Sequence, residues 1–216
     1  MRVLAGLLAV LLVAGCTPID DGGQPATGVS GSGNVPGGNA APADVTQALN
    51  ALTVAASRPM SGYSREKFPH WRRVDENCDV RDVVLKRDGT GVEATATCKI
   101  TKGSWTSVYD GKKFTDPQGL DIDHMVPLAN AWRSGADKWT EEQRTEFAND
   151  LTRPQLMAVS AASNRSKGDQ DPSQWKPPQQ SYWCEYARRW ITVKSFWGLS
   201  VTEREKATLR EMLGSC

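Results

Sequence analysis

Only two histidines occur in the 216-residue chain. Imidazole is the side chain whose ordinary pKa, about 6.5, lets it trade a proton near neutral pH. His70 lies between Pro69 and Trp71 in an aromatic stretch and reads as a packing residue with scope for substrate contact. His124 closes the run Asp121-Ile122-Asp123-His124. In an extended strand Asp121 and Asp123 point to one face, so two carboxylates gather beside a candidate general base. Such a cluster suits acid–base chemistry or capture of a cation. It equally suits a solvated turn, and an Asp-His pair alone is a weak signal.

A second segment adds weight. Residues 156–159 form a short apolar strand candidate, followed by Ser163-Asn164-Arg165-Ser166-Lys167-Gly168-Asp169. Asn164 offers a neutral oxygen. Arg165 and Lys167 offer phosphate contacts or, more plainly, solvated helix charges, and Gly168 can stop a helix. A strand ending in Asp-His, a second strand, and a helix carrying Asn-x-x-Lys-Gly is the order of parts of a ββα-metal finger. With Pro127-Leu128, Ala131-Trp132, Gly135-Ala136, Phe147-Ala148-Asn149-Asp150, Trp175 and Pro177, residues 120–178 resemble the HNH endonucleases. The likeness is to an exported bacterial subgroup related to the C-terminal domain of GmrSD-type restriction enzymes. It extends more weakly over residues 60–216.

The resemblance implies roles. His124 is the general base that activates water, and Asp123 and Asn164 hold one divalent ion. Few protein oxygens and many waters suit Mg²⁺, with Mn²⁺ as the alternative. Asp121 is a supporting carboxylate, and Arg165 and Lys167 bind phosphate. Many HNH enzymes place an asparagine where it fixes the loop behind the base. Here Gln155 or Asn149 takes that duty. The implied substrate is nucleic acid, taken as double-stranded DNA, hydrolysed at its phosphodiester bonds by a monomer. The alternative is a catalytically silent surface lipoprotein that binds nucleic acid or another partner on an HNH-like fold. A zinc or thiol hydrolase ranks third, because the chain has no Cys-x-x-Cys pair.

The bulk sequence sets the frame around these residues. Arg2 precedes an apolar run, residues 3–13, too short to cross a bilayer and suited to a signal peptide. Val13-Ala14-Gly15-Cys16 resembles a bacterial lipoprotein signal with lipid attached at Cys16. Residues 1–15 are therefore read as the signal and 16–43 as a Gly-, Pro- and Ser-rich tether. Residues 44–216 are read as one domain. The expected setting is outside the cell, at the surface or on a membrane through the lipid anchor only, or released. A formal net charge of +1 argues against a protein that coats polyanions with its whole surface.

Four of the five cysteines remain once Cys16 is set aside. An even number in an exported chain favours two disulfides, with three pairings possible. Pairing nearest neighbours gives Cys78–Cys98 and Cys184–Cys216.

The pattern predicts helices over 45–56, from Pro127 to Gly135, and from the Thr140-Glu141-Glu142-Gln143 capping box to Asn149. It also predicts a helix between Ser160 and Gly168, one carrying Tyr182, Tyr186, Trp190, Val193 and Trp197, and one from Thr202 to Gly214. Strands are expected over 120–126 and 156–159. A hairpin is expected from 83–86 and 93–100 around Asp88-Gly89-Thr90-Gly91. The fold class is α+β: a ββα-metal finger in a small, disulfide-stapled domain with several short helices.

Overall fold

A computed structural model describes residues 42–216. The expectations for the signal, Cys16 and most of the tether lie outside the described residues. The domain is α+β, with short helices around two small antiparallel sheets.

Strands β4 (Leu120–His124) and β5 (Leu156–Ser160) pair antiparallel, with Asp121 opposite Val159 and Asp123 opposite Met157. Helix α5 (Ala161–Lys167) follows β5 directly. Its N-terminus is capped by the Ser160 side chain, which accepts from the Ser163 amide. It ends at Gly168, whose φ of 54° is one that glycine reaches without a Cβ clash. Between the two strands run α3 (Leu128–Arg133) and α4 (Glu141–Ala148). The Thr140 and Gln143 capping box opens α4 as its residue types require.

The faces of the β4–β5 pair divide the core. Leu120, Ile122, Leu156 and Ala158 pack with Val80, Val84, Leu85, Ile100 and Trp105. Met157 and Val159 face a larger cluster that includes Phe147, Tyr186 and Trp190. The aromatic stripe is core, on α6 (Trp183–Phe196), with Tyr186, Trp190 and Val193 fully buried. Helix α7 (Glu203–Leu213) packs on α6, and α1 (Pro42–Ala51) packs on both.

One expected element is corrected. Residues 80–88 are a helix, α2 (Val80–Asp88), rather than the first strand of a hairpin. The Asp79 side chain accepts from the Asp82 amide while Asp82 returns a bond to the Asp79 amide. That reciprocal box, with Val80, Val84 and Leu85 on one buried face, outweighs the β-branched residues. The hairpin is shifted along the chain, to β1 (Thr90–Ala94) and β2 (Ile100–Thr106), with β3 (Lys113–Phe114) beside β2.

Helix α2 also covers the outer edge of β5. Asp88 accepts from the Ala158 amide at 2.8 Å, and Arg87 donates to the Leu156 carbonyl at 2.6 Å. An edge capped in this way cannot pair with another chain.

Both expected disulfides are present, Cys78–Cys98 and Cys184–Cys216. The first ties the start of α2 to the β1–β2 turn rather than bracketing a hairpin. The second ties α6 to the C-terminus.

Asp79→Ala removes the α2 cap. The expected loss is about 1 kcal/mol of stability, read by urea denaturation. An unchanged midpoint contradicts the capped helix.

Candidate active site

A cleft of about 300 Å³ opens at the end of β4. Its lining includes Tyr63, Arg65, Asp123, His124, Asn164 and Arg165. Consecutive strand residues point to opposite faces, yet at the strand's end the cleft takes in both Asp123 and His124.

His124 is 5% exposed. Its Nε2 lies 2.9 Å from the carbonyl oxygen of Ala148, the last residue of α4. A carbonyl only accepts, so Nε2 carries the hydrogen and Nδ1 keeps its lone pair. No hydrogen bond among the described residues falls on Nδ1. Burial pushes the His124 pKa down to about 3, with the Ala148 bond opposing and the Arg65 charge assisting. The ring is therefore neutral near neutral pH, the form that can accept a proton.

The ring is held from two sides. Trp71 lies against it with centroids 5.6 Å apart and planes tilted by 32°. Trp71 adopts a φ of 61°, a left-handed conformation that costs a bulky residue about 1–3 kcal/mol. Asn149 holds it there. Its side-chain oxygen accepts from the Arg72 amide at 3.0 Å, and its nitrogen donates to the Pro69 carbonyl at 2.8 Å.

Gln155 acts on the other side and is fully buried. Its amide clamps the backbone of Val126, accepting from the amide at 3.1 Å and donating to the carbonyl at 3.0 Å. Its own carbonyl accepts from the Met125 amide at 2.7 Å. Gln155 thus fixes the exit of β4, while Asn149 fixes the segment that covers the ring. Both residues named from the sequence for the orienting position therefore hold backbone near His124.

Asp123 is 4% exposed. Its Oδ2 accepts from the Tyr109 hydroxyl at 2.5 Å and from the Lys167 ammonium at 2.6 Å. The same ammonium donates to the His124 carbonyl at 2.8 Å. Burial raises the Asp123 carboxyl pKa and the Lys167 charge opposes that rise. Burial lowers the Lys167 pKa and Asp123 opposes that fall. No hydrogen bond among the described residues falls on Asp123 Oδ1.

Lys167 is corrected by this placement. It is completely buried, so it meets no phosphate at the surface. It stands three residues after Asn164 on α5, on the face packed against β4.

Asn164 donates through Nδ2 to Asp121 Oδ2 at 3.1 Å. A carboxylate accepts only, so the amide nitrogen must face Asp121 and the amide oxygen is left for another partner. Arg165 is exposed, and its Nε lies 3.5 Å from the same Asp121 oxygen. Asp121 is thus the support of Asn164, and the structure brings Asn164 and Asp123 to one cleft. No cluster of three or more His, Cys, Asp or Glu that could hold a metal occurs among the described residues. A site built on one carboxylate and one amide oxygen needs no such cluster.

Sequence reasoning missed Trp71, Tyr109, Arg65 and the Ala148 carbonyl. Tyr109 falls in a turn-rich stretch with no periodic signal, and its partner Asp123 is a long-range contact. Trp71 had one cue, its place beside His70 among aromatics.

The match to known proteins follows this geometry. Residues 79–212 match the family described as GmrSD restriction endonucleases, C-terminal domain. The chain belongs to that family. An uncharacterized secreted protein of Arthroderma benhamiae is 55% identical over 168 residues, covering 78% of this chain and 82% of the relative. That relative is fungal, so the likeness is not confined to the bacterial subgroup expected from the sequence. No solved structure matches.

Lys167→Met leaves the Asp123 carboxylate buried without its cation. The expected destabilisation is about 3–5 kcal/mol, read by chemical denaturation. A loss below about 1 kcal/mol contradicts the buried pair.

Proposed function

We propose that the chain is an exported endonuclease that hydrolyses phosphodiester bonds of nucleic acid, acting on double-stranded DNA, with His124 as general base. One observation carries the reading. A single cleft gathers a neutral histidine with an open Nδ1, a carboxylate and an amide oxygen on a strand–strand–helix unit. Membership of a family of restriction endonuclease domains supports it.

In this reading Asp123 and Asn164 would hold one divalent ion, Mg²⁺ or Mn²⁺, through the side-chain oxygens left without a protein partner. The donor set fits such a hard cation: both are oxygens, and each partner atom on the same side chain is already committed to the protein. When bound, the ion supplies charge stabilisation at the phosphate and leaving oxygen.

The chain's own residues do the rest. Ala148 fixes the tautomer of His124, and Trp71 and Gln155 fix its position. A water gives a proton to Nδ1 as its oxygen bonds to phosphorus and the bond to the leaving oxygen breaks. A negative phosphate entering the cleft raises the base's pKa from its buried value toward the working range. Arg165, exposed at the rim, meets phosphate. Asp121 positions Asn164, and Lys167 with Tyr109 positions Asp123.

Two disulfides and a relative described as secreted support export. A lipid anchor at Cys16 and a monomeric state complete the reading.

The test is plasmid cleavage by the full chain, with Mg²⁺ or with EDTA. Cleavage is expected only with the metal. His124→Ala is expected to lower the rate by about 10²–10⁴-fold in a folded protein. Metal-independent cleavage, or full activity in His124→Ala, contradicts the mechanism.

A further inference from the structure

We propose that Arg65 is a second phosphate-binding residue, gripping the nucleic-acid backbone from the wall of the cleft that it shares with Arg165. The inference rests on the nuclease reading for its ligand, and its residues lie outside the family match, which begins at residue 79.

Arg65 and Tyr63 line the same cleft as Asn164 and Arg165 but come from a separate segment of the chain. Arg65 opens a short 3-10 turn, Arg65–Lys67. Its guanidinium makes no ion pair or side-chain hydrogen bond among the described residues. The other arginine of the cleft is partly occupied by Asp121. Arg133, nearby, is taken by Asp169 at 2.6 Å. A guanidinium at the mouth of a cleft, with five donors and no protein acceptor, is arranged for a planar oxyanion such as phosphate.

The turn that carries Arg65 is rigid. The Phe68 amide donates to the Arg65 carbonyl at 3.0 Å, and the Phe68 ring is fully buried in the larger core. Arg144 donates to the Lys67 carbonyl at 2.8 Å. Farther along, Asn149 grips the backbone at Pro69 and Arg72, and Arg72 pairs with Glu146. An arginine on an anchored turn loses less freedom on binding than one on a loose loop. Both arginines line the cleft that holds the base and the proposed ligands, so the phosphates of one strand can meet both.

The experiment measures duplex binding by the full chain in EDTA, where no cleavage is expected. A short fluorescent DNA duplex is titrated at several salt concentrations. Arg65→Ala is expected to weaken binding about tenfold, the loss of one charge-assisted contact. It is also expected to lower the slope of log affinity against log salt by about 1, the signature of one lost phosphate contact. Arg65→Lys is expected to restore most of the slope. Arg204→Ala, an exposed arginine away from the cleft, is expected to change neither quantity. An affinity and slope in Arg65→Ala equal to the wild type overturn the proposal, as does a wild type that binds no duplex. A wild type that binds duplex but cleaves none when Mg²⁺ is added sinks the nuclease reading and leaves the Arg65 contact to be judged by its slope.

Discussion

The ammonium of Lys167, wholly buried and 2.6 Å from Asp123, fixes the centre of this site. Desolvating two charges is expensive, and their attraction offsets that expense only when the geometry is tight and the remaining donors are used. Here Lys167 also reaches the His124 carbonyl, and Tyr109 shares the same carboxylate oxygen. The pair therefore locks α5 to the last two residues of β4. Asp123 and His124 sit at one end of that lock and Asn164 and Arg165 at the other, and all four line the cleft.

Around the lock, separate devices set the state of each polar atom of the cleft. The Ala148 carbonyl decides which imidazole nitrogen carries the hydrogen. Burial decides that the ring is neutral. Asp121 decides which end of the Asn164 amide is offered. Gln155 and Asn149 hold backbone rather than side chains, and so keep strand exit and covering segment in register. Strain at Trp71 is tolerated because Asn149 ties the chain on both sides of it.

Local patterns made much of this legible. The Thr140 and Thr202 capping boxes, the Ser160 cap and the Gly168 stop are rules of one or two turns, and the structure follows them. The order of strand, strand and helix was readable from short apolar runs and their punctuation. The β-branched pair Val83-Val84 suggests a strand, but the Asp79–Asp82 box makes residues 80–88 a helix. A lysine in a sequence suggests solvent, while the tertiary pairing with Asp123 puts Lys167 inside. Tyr109, Trp71 and Arg65 reach the site from distant segments, and no local rule reports such contacts.

In the proposed mechanism His124, Asp123 and Asn164 act together on one phosphate. A crystal of the full chain with Mn²⁺ and a short duplex, read by anomalous scattering, tests it most directly. The account predicts one ion, at about 2.0–2.3 Å from Asp123 Oδ1 and Asn164 Oδ1, with His124 Nδ1 facing the phosphorus opposite the leaving oxygen. An ion bound elsewhere, or a His124 Nδ1 turned away from the phosphate, contradicts it.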